Sequence, residues 1–221
     1  MSTETDVRIP TEGVMLEGTL AAVENARGVV LFAHGSGSSR FSPRNRFVAG
    51  VLHDHGFATL LLDLLTRDEE RVDAYTAHLR FDVFMLARRL VAAVDWLTQA
   101  PGTAGLPIGC FGASTGAASA LITAAERSAE VTSVVSRGGR PDLAGSALAR
   151  VRAPTLLLVG GADVEVIELN RRAMAQMRAE VRLEIVPGAT HLFEEPGTLE
   201  IVAAPAAEWF TRYSSRARPA A

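Results

Sequence analysis

The 221 residues are 48% hydrophobic and 21% charged, with a formal net charge of −3. That length and balance suit a single soluble α/β domain over 1–221 and exclude the strongly basic footprint of a nucleic-acid binder. One cysteine, Cys110, excludes an intrachain disulfide. The opening MSTETDVRIP is polar and acidic rather than signal-like, and no stretch reaches the roughly 18 apolar residues of a membrane span. A cytoplasmic protein with no membrane partner is expected.

Only the ends, 1–5 and 214–221, read as loose. Val7 to Ile9 and Val14 to Leu20 flank a polar turn and predict a hairpin. Val29 to Ala33 is a continuous apolar run, the pattern of a strand covered on both faces. It ends in His34-Gly35-Ser36-Gly37. A helix is expected over Pro43 to His55, then a buried strand over Thr59 to Leu62. Phe81 to Gln99 carries apolar residues at steps of three and four and predicts the longest helix. Ile108 to Gly112 is a strand, followed by a helix over Thr115 to Arg127. Val131 to Val135, Thr155 to Val159 and Arg182 to Val186 are further strands. Helices over Val164 to Met177 and Leu199 to Tyr213 complete the pattern. A hairpin followed by repeated β–α units predicts a mostly parallel central sheet with helices on both faces and no separate lid domain. In such sheets the chemistry gathers in loops at the carboxyl ends of strands.

Gly112-Ala113-Ser114-Thr115-Gly116 matches G-x-S-x-G between a predicted strand and a predicted helix. A chain that reverses from strand to helix so abruptly holds its serine in a strained backbone, with the hydroxyl lifted above the sheet. A glycine-rich turn with an idle serine would read the same way, so the partners decide. A serine hydroxyl needs a base to remove its proton. Asp163 lies just past the TLLLV strand and His191 just past the next. The order Ser114, Asp163, His191 is the one this arrangement uses. Ser114 is therefore expected as nucleophile, His191 as general base and Asp163 as the residue that orients the imidazole, although Asp163 could also cap the helix after it. The backbone amides of Ser36 and Thr115 are the expected oxyanion hole. A phosphate loop is the rival reading of GSGSS, but the Gly-Lys-Ser/Thr ending is missing.

Arg137, expected in the loop after a strand, and Arg40, just beyond the oxyanion loop, are candidate substrate-binding residues for an anionic group. The bland alternative pairs them with Asp142, Glu194 or Glu195. His53 and His55 do not share a helix face, and no Cys/His cluster has metal spacing. No metal or cofactor is expected. His34 is read as a hydrogen-bonding residue under the oxyanion loop and Cys110 as a small buried hydrophobe.

HGSGSSR, GASTG, GGAD and GATHLF together resemble the small dienelactone-hydrolase-like members of the α/β-hydrolase superfamily, over about Val7 to Tyr213. The resemblance implies a cofactor-free serine hydrolase acting on a small-molecule ester, lactone or thioester through an acyl-serine. Dienelactone hydrolases proper carry a cysteine at the elbow where this chain has Ser114, which favours a serine esterase over a lactone hydrolase. An acyltransferase or perhydrolase using the same triad, or a non-catalytic binding protein on this fold, are the alternatives. Some similar proteins carry a phosphoribosyltransferase domain as well; none is expected within these residues.

Overall fold

The opening hairpin is longer than its apolar residues suggest. In the computed structural model, which describes residues 2–214, β1 (Ser2–Thr11) and β2 (Val14–Val23) pair antiparallel from Ser2 opposite Val23 to Thr11 opposite Val14. The two-residue loop Glu12-Gly13 has φ of 37° and 83°, and two positive φ values give a tight turn the twist of its flanking strands. Ser2 to Thr5, expected as a loose end, are part of β1. They are exposed, so backbone bonding to β2 holds them, and their polar side chains give no sign of it. At the other end Ser214 closes the last helix, and the rest of the expected loose tail lies outside the described residues.

β3 (Gly28–Ala33), β4 (Phe57–Leu62), β5 (Ile108–Ala113), β6 (Val131–Arg137), β7 (Thr155–Gly160) and β8 (Val181–Val186) complete an eight-stranded sheet ordered β1-β2-β4-β3-β5-β6-β7-β8. β2 alone runs against the others. The chain steps outward from β3 to β4, then returns to place β5 on the other flank of β3. That reversal opens a crevice at the carboxyl ends of β3 and β5.

β3 shows why its apolar run is continuous. Val29, Leu31 and Ala33 pack with α3 (Val83–Leu97) and α4 (Thr115–Glu126). Val30 and Phe32 face the other way, into α1 (Pro43–Asp54) and α6 (Thr198–Ser214). Side chains alternate along a strand, so a strand covered on both faces must be apolar throughout. α3 presents Leu86, Leu90, Val94 and Leu97 to the first of these cores, and Asp82 caps it by accepting from the Met85 amide at 2.9 Å. α1 opens on Ser42, whose hydroxyl accepts from the Asn45 amide, with Pro43 in the first turn. α5 (Val164–Met174) flanks β7 and β8.

α2 (Arg67–Thr76) is missing from the sequence reading. It has no apolar face: its one buried residue is Asp73. A capping box at Thr66 and Glu69 starts it, a bidentate Glu69–Arg89 pair ties it to α3, and Asp73 holds Arg80 in the short 3-10 turn Leu79–Phe81 that follows. Pro141–Arg150, also unread, is irregular 3-10 structure broken at Gly145.

β5 passes into α4 through one residue, Ser114, at φ 50° and ψ −124°. The turn brings Gly116 against the end of β3. A Cβ on Gly116 would stand 2.5 Å from the His34 carbonyl oxygen and closer still to that of Ala33. Both are backbone atoms that cannot swing aside. Gly116→Ala is therefore expected to destabilise the fold by about 3 kcal/mol, read as a lower urea midpoint at unchanged slope. A midpoint equal to that of the parent chain would show that the elbow has slack.

Candidate active site

Ser114 is set in position by backbone hydrogen bonds on both sides. Its N–H donates to the Arg137 carbonyl at 3.3 Å, and its own carbonyl accepts from Arg140 at 3.0 Å and Ala117 at 3.1 Å. The hydroxyl lies 3.3 Å from Nε2 of His191. Nδ1 of His191 lies 2.6 Å from Asp163 Oδ2. A carboxylate can only accept, so Nδ1 carries the hydrogen and Nε2 is left as the acceptor facing the serine.

Asp163 and His191 are 28 residues apart in the chain, and their loops are joined by backbone. Gly161 donates to the Val186 carbonyl at 2.8 Å and Ala162 to that of Ala189 at 3.0 Å. This requires Gly160: a Cβ there would collide with the Ala189 and Thr190 carbonyls. Asp163 starts α5 without a side-chain capping bond, so its carboxylate is free to hold the imidazole. Beyond His191, Phe193 is buried at φ 55°, and Glu195 accepts from the Thr190 amide at 3.1 Å. These contacts fold the loop back over β6.

The two expected oxyanion donors are adjacent, but one is occupied. The Ser36 amide donates to the Thr115 hydroxyl at 3.1 Å. His34 fixes this loop from beneath. Its Nε2 accepts from the Leu64 amide at 3.0 Å, so Nδ1 bears the hydrogen and donates to the Gly35 carbonyl at 2.9 Å. Burial pushes its pKa below the ordinary histidine value. A buried neutral imidazole committed at both nitrogens serves as a strut.

Arg40 is also a strut. It is 7% exposed, and Nη1 reaches Asp63 at 2.7 Å and Glu17 at 2.9 Å, while its amide donates to Asp63 at 2.6 Å. Neither carboxylate is one of the partners weighed from sequence, because β2 and β4 bring Glu17 and Asp63 together only in the folded sheet. With both already on it, Arg40 has no charge left to offer a substrate. Arg137 is the last residue of β6 rather than a loop residue, and it is buried beside Asn45 and Phe193. Arg44, which no sequence pattern marks, lies next to it on α1.

A cavity of about 530 Å³ adjoins the oxyanion loop, with Ser36, Ser38, Phe41, Arg44, Leu65 and Arg80 among its walls. Part of it is made by α2 and the turn after it, the segment absent from the sequence reading. Cys110 is buried in β5, its thiol pushed up to about 12 by burial. Among the described residues no group of three or more His, Cys, Asp or Glu could hold a metal ion, and no helix is long and apolar enough to cross a membrane.

A serine at a strand–helix elbow, above a sheet of this order and under loops carrying an acid and a histidine, defines an α/β-hydrolase fold. More narrowly, the chain belongs to the dienelactone hydrolase family, whose family model matches residues 16–215. The dienelactone hydrolase of Anabaena variabilis is 57% identical in sequence and superposes with a TM-score of 0.94 over 96% of this chain and 99% of that one. Est1E from Butyrivibrio proteoclasticus shares the fold at 17% identity, with a TM-score of 0.79 over 95% of this chain and 99% of its own. Two Mycobacterium tuberculosis proteins with provisional phosphoribosyl transferase names, from strains CDC 1551 and H37Rv, are 57% identical over 205 residues, 93% of this chain. The chain spans 45% of the length of those curated relatives.

Arg40→Met leaves the partly buried Asp63 without its counter-charge and is expected to cost about 3 kcal/mol in a urea titration; a change of substrate charge preference at unchanged stability would instead return Arg40 to the binding site. For His34 the folded state disfavours the proton. Its contribution is complete above the ordinary histidine value of 6.5 and is lost as pH falls below it, where the unfolded chain takes up the proton first. The fall in Tm between pH 7 and pH 5 should accordingly be shallower in His34→Gln than in the parent chain, and parallel curves would count against this.

Proposed function

We propose that this protein is a serine hydrolase that cleaves a small carboxylic ester through an acyl-serine intermediate. The observation that carries this reading is the continuous hydrogen-bonded line from Ser114 Oγ through His191 to Asp163 at the head of a strand–helix elbow. As Oγ attacks the ester carbonyl, His191 Nε2 takes its proton, and the imidazolium that forms lies against the Asp163 carboxylate. The carbonyl oxygen becomes an oxyanion facing the amide of Thr115 and, once the Thr115 hydroxyl turns away, that of Ser36. Each such donor is worth about 3 kcal/mol when removed from comparable sites. His191 returns its proton to the departing alcohol. A water molecule, deprotonated by the same nitrogen, then attacks the acyl-serine, and the acid leaves.

The family membership and the 57% identity to a dienelactone hydrolase support hydrolytic chemistry. The serine at the elbow favours an ordinary ester over the lactone of the cysteine-bearing enzymes named in that family. The transferase name is carried by proteins more than twice as long, and the serine site gives a hydrolase reading its own physical basis.

Ser114→Ala is expected to keep the fold and lose turnover of p-nitrophenyl acetate by at least about 10⁴-fold, together with all labelling by a fluorophosphonate probe. His191→Ala should match it, and Asp163→Asn should leave a small residue of activity. Undiminished labelling of Ser114→Ala would place the nucleophile elsewhere.

A further inference from the structure

We propose that Arg137 and Arg44 form a binding site for a carboxylate or phosphate group, between the first turn of α1 and the His191 loop. Arg137 lies one strand position from the elbow, its carbonyl accepting from the Ser114 amide. Its side chain leaves β6 on the face of Val135, toward α1 and α6. The residue is 8% exposed. Nε and Nη1 are buried with no hydrogen-bond partner, and Nη2 reaches only Asn45 Oδ1, at 3.4 Å. The other buried arginines also leave Nε without a partner, but each holds a carboxylate: Arg40 holds Asp63 and Glu17, and Arg89 holds Glu69. Among the described residues no carboxylate pairs with Arg137, and the charged group that acts on it is another cation, Arg44.

Arg44 repeats the pattern in part. Its Nη1 bonds Glu194 at 3.1 Å, a partner that is mostly exposed, while Nε is buried with no partner. Both Arg44 and Asn45 sit in the first turn of α1, which contains no acidic residue, so the positive end of a 12-residue helix adds to the same field. Two guanidiniums with orphaned N–H groups at a helix N-terminus make an incomplete arrangement. A buried cation without a counter-charge is among the costliest states a fold can hold, and a bound anion completes it.

The Phe193 ring compensates in part: the Arg137 guanidinium lies 6.0 Å from its centroid, at the outer edge of a cation–π contact. That contact uses the face of the guanidinium and leaves Nε, Nη1 and one Nη2 hydrogen open in its plane. Nε or Nη1, taken with that Nη2 hydrogen, can meet two oxygens of one carboxylate or phosphate. Burial and Arg44 lower the pKa of Arg137 to about 10, which still leaves it a cation at neutral pH. Arg44 lines both the cavity by the oxyanion loop and a second one of about 350 Å³ beside Phe193 and Glu194, so an anion would approach the buried Arg137 from the Arg44 side. The anion is either carried by the substrate, which rests on the ester-hydrolase reading, or is a free ion.

The test has two arms. In the first, Tm is followed against inorganic phosphate and against acetate at fixed ionic strength for the parent chain, Arg137→Met and Arg44→Met. The parent Tm should rise with the anion and both variants should lose the response, while Arg137→Met, freed of a buried charge, melts no lower than the parent without anion. In the second, p-nitrophenyl acetate is compared with the p-nitrophenyl monoester of succinate. For a substrate-borne anion, Arg137→Met lowers the ratio of kcat/KM for the anionic over the neutral ester about tenfold. A phosphate response with an unchanged ratio assigns the site to a free ion and keeps the proposal. A parent chain that hydrolyses neither ester overturns the hydrolase reading and leaves the first arm to decide. A parent Tm indifferent to both anions, with an unchanged ester ratio, overturns the site and leaves Arg137 as a packing residue.

Discussion

Ser114 stands at φ 50° and ψ −124°, a conformation that costs a non-glycine residue on the order of 1–3 kcal/mol. It persists because its surroundings leave no alternative. The strand behind it is paired on both sides, by β3 and by β6. The helix ahead is buried along all but its last turn. Close backbone approach at Gly116 locks α4 against the end of β3. The same turn that strains the serine points the first amides of α4 at the crevice and holds the hydroxyl where a histidine from the loop after β8 can meet it. Candidate nucleophile, expected oxyanion donor and partner loop thus depend on one backbone reversal.

Around that reversal polar struts fix the loops alongside buried apolar side chains such as Leu64, Ala189 and Phe193. His34 ties the Gly35 carbonyl to the Leu64 amide. Arg40 joins the end of the same loop to β2 and β4 through Glu17 and Asp63. Asn170 on α5 donates to the Gly139 carbonyl at 2.9 Å, steadying the segment whose next amide, that of Arg140, bonds Ser114. Loops at a sheet edge offer little apolar area to bury, so directional bonds fix their shape. Arg40 carries two carboxylates, whereas among the described residues the guanidinium of Arg137 has none and only the Asn45 amide oxygen and the Phe193 ring beside it.

Much of this was legible from residues alone. Strands buried on both faces announce themselves by unbroken apolar runs, and α3 by its spacing. The elbow, with an acid and a histidine after successive strands, follows from local sequence and chain order. What escaped depends on neighbours distant in the chain. Ser2 to Thr5 look loose because a strand edge held by backbone leaves no apolar signature. α2 buries no apolar side chain, its Val72, Ala74 and Tyr75 being exposed, so periodicity has nothing to detect, although Thr66 and Glu69 do spell a capping box. Arg40 and Arg137 look alike in the sequence, and only the register of β2, β4 and β6 gives one two carboxylates and the other none. Arg44 has no local mark: its interest comes from the strand end it faces.

The cavity by the oxyanion loop borrows a wall from α2, a helix that buries Asp73 alone and is moored through Glu69 and Asp73. Its remaining side chains can therefore be exchanged without opening a hole in either core. Of the two residues it gives to the wall, Glu70 can drift without disturbing the fold, whereas Asp73, like the buried faces of α3 and α4, cannot. A lineage with this architecture can change what it admits to the crevice while the sheet, the elbow and their stability stay as they were.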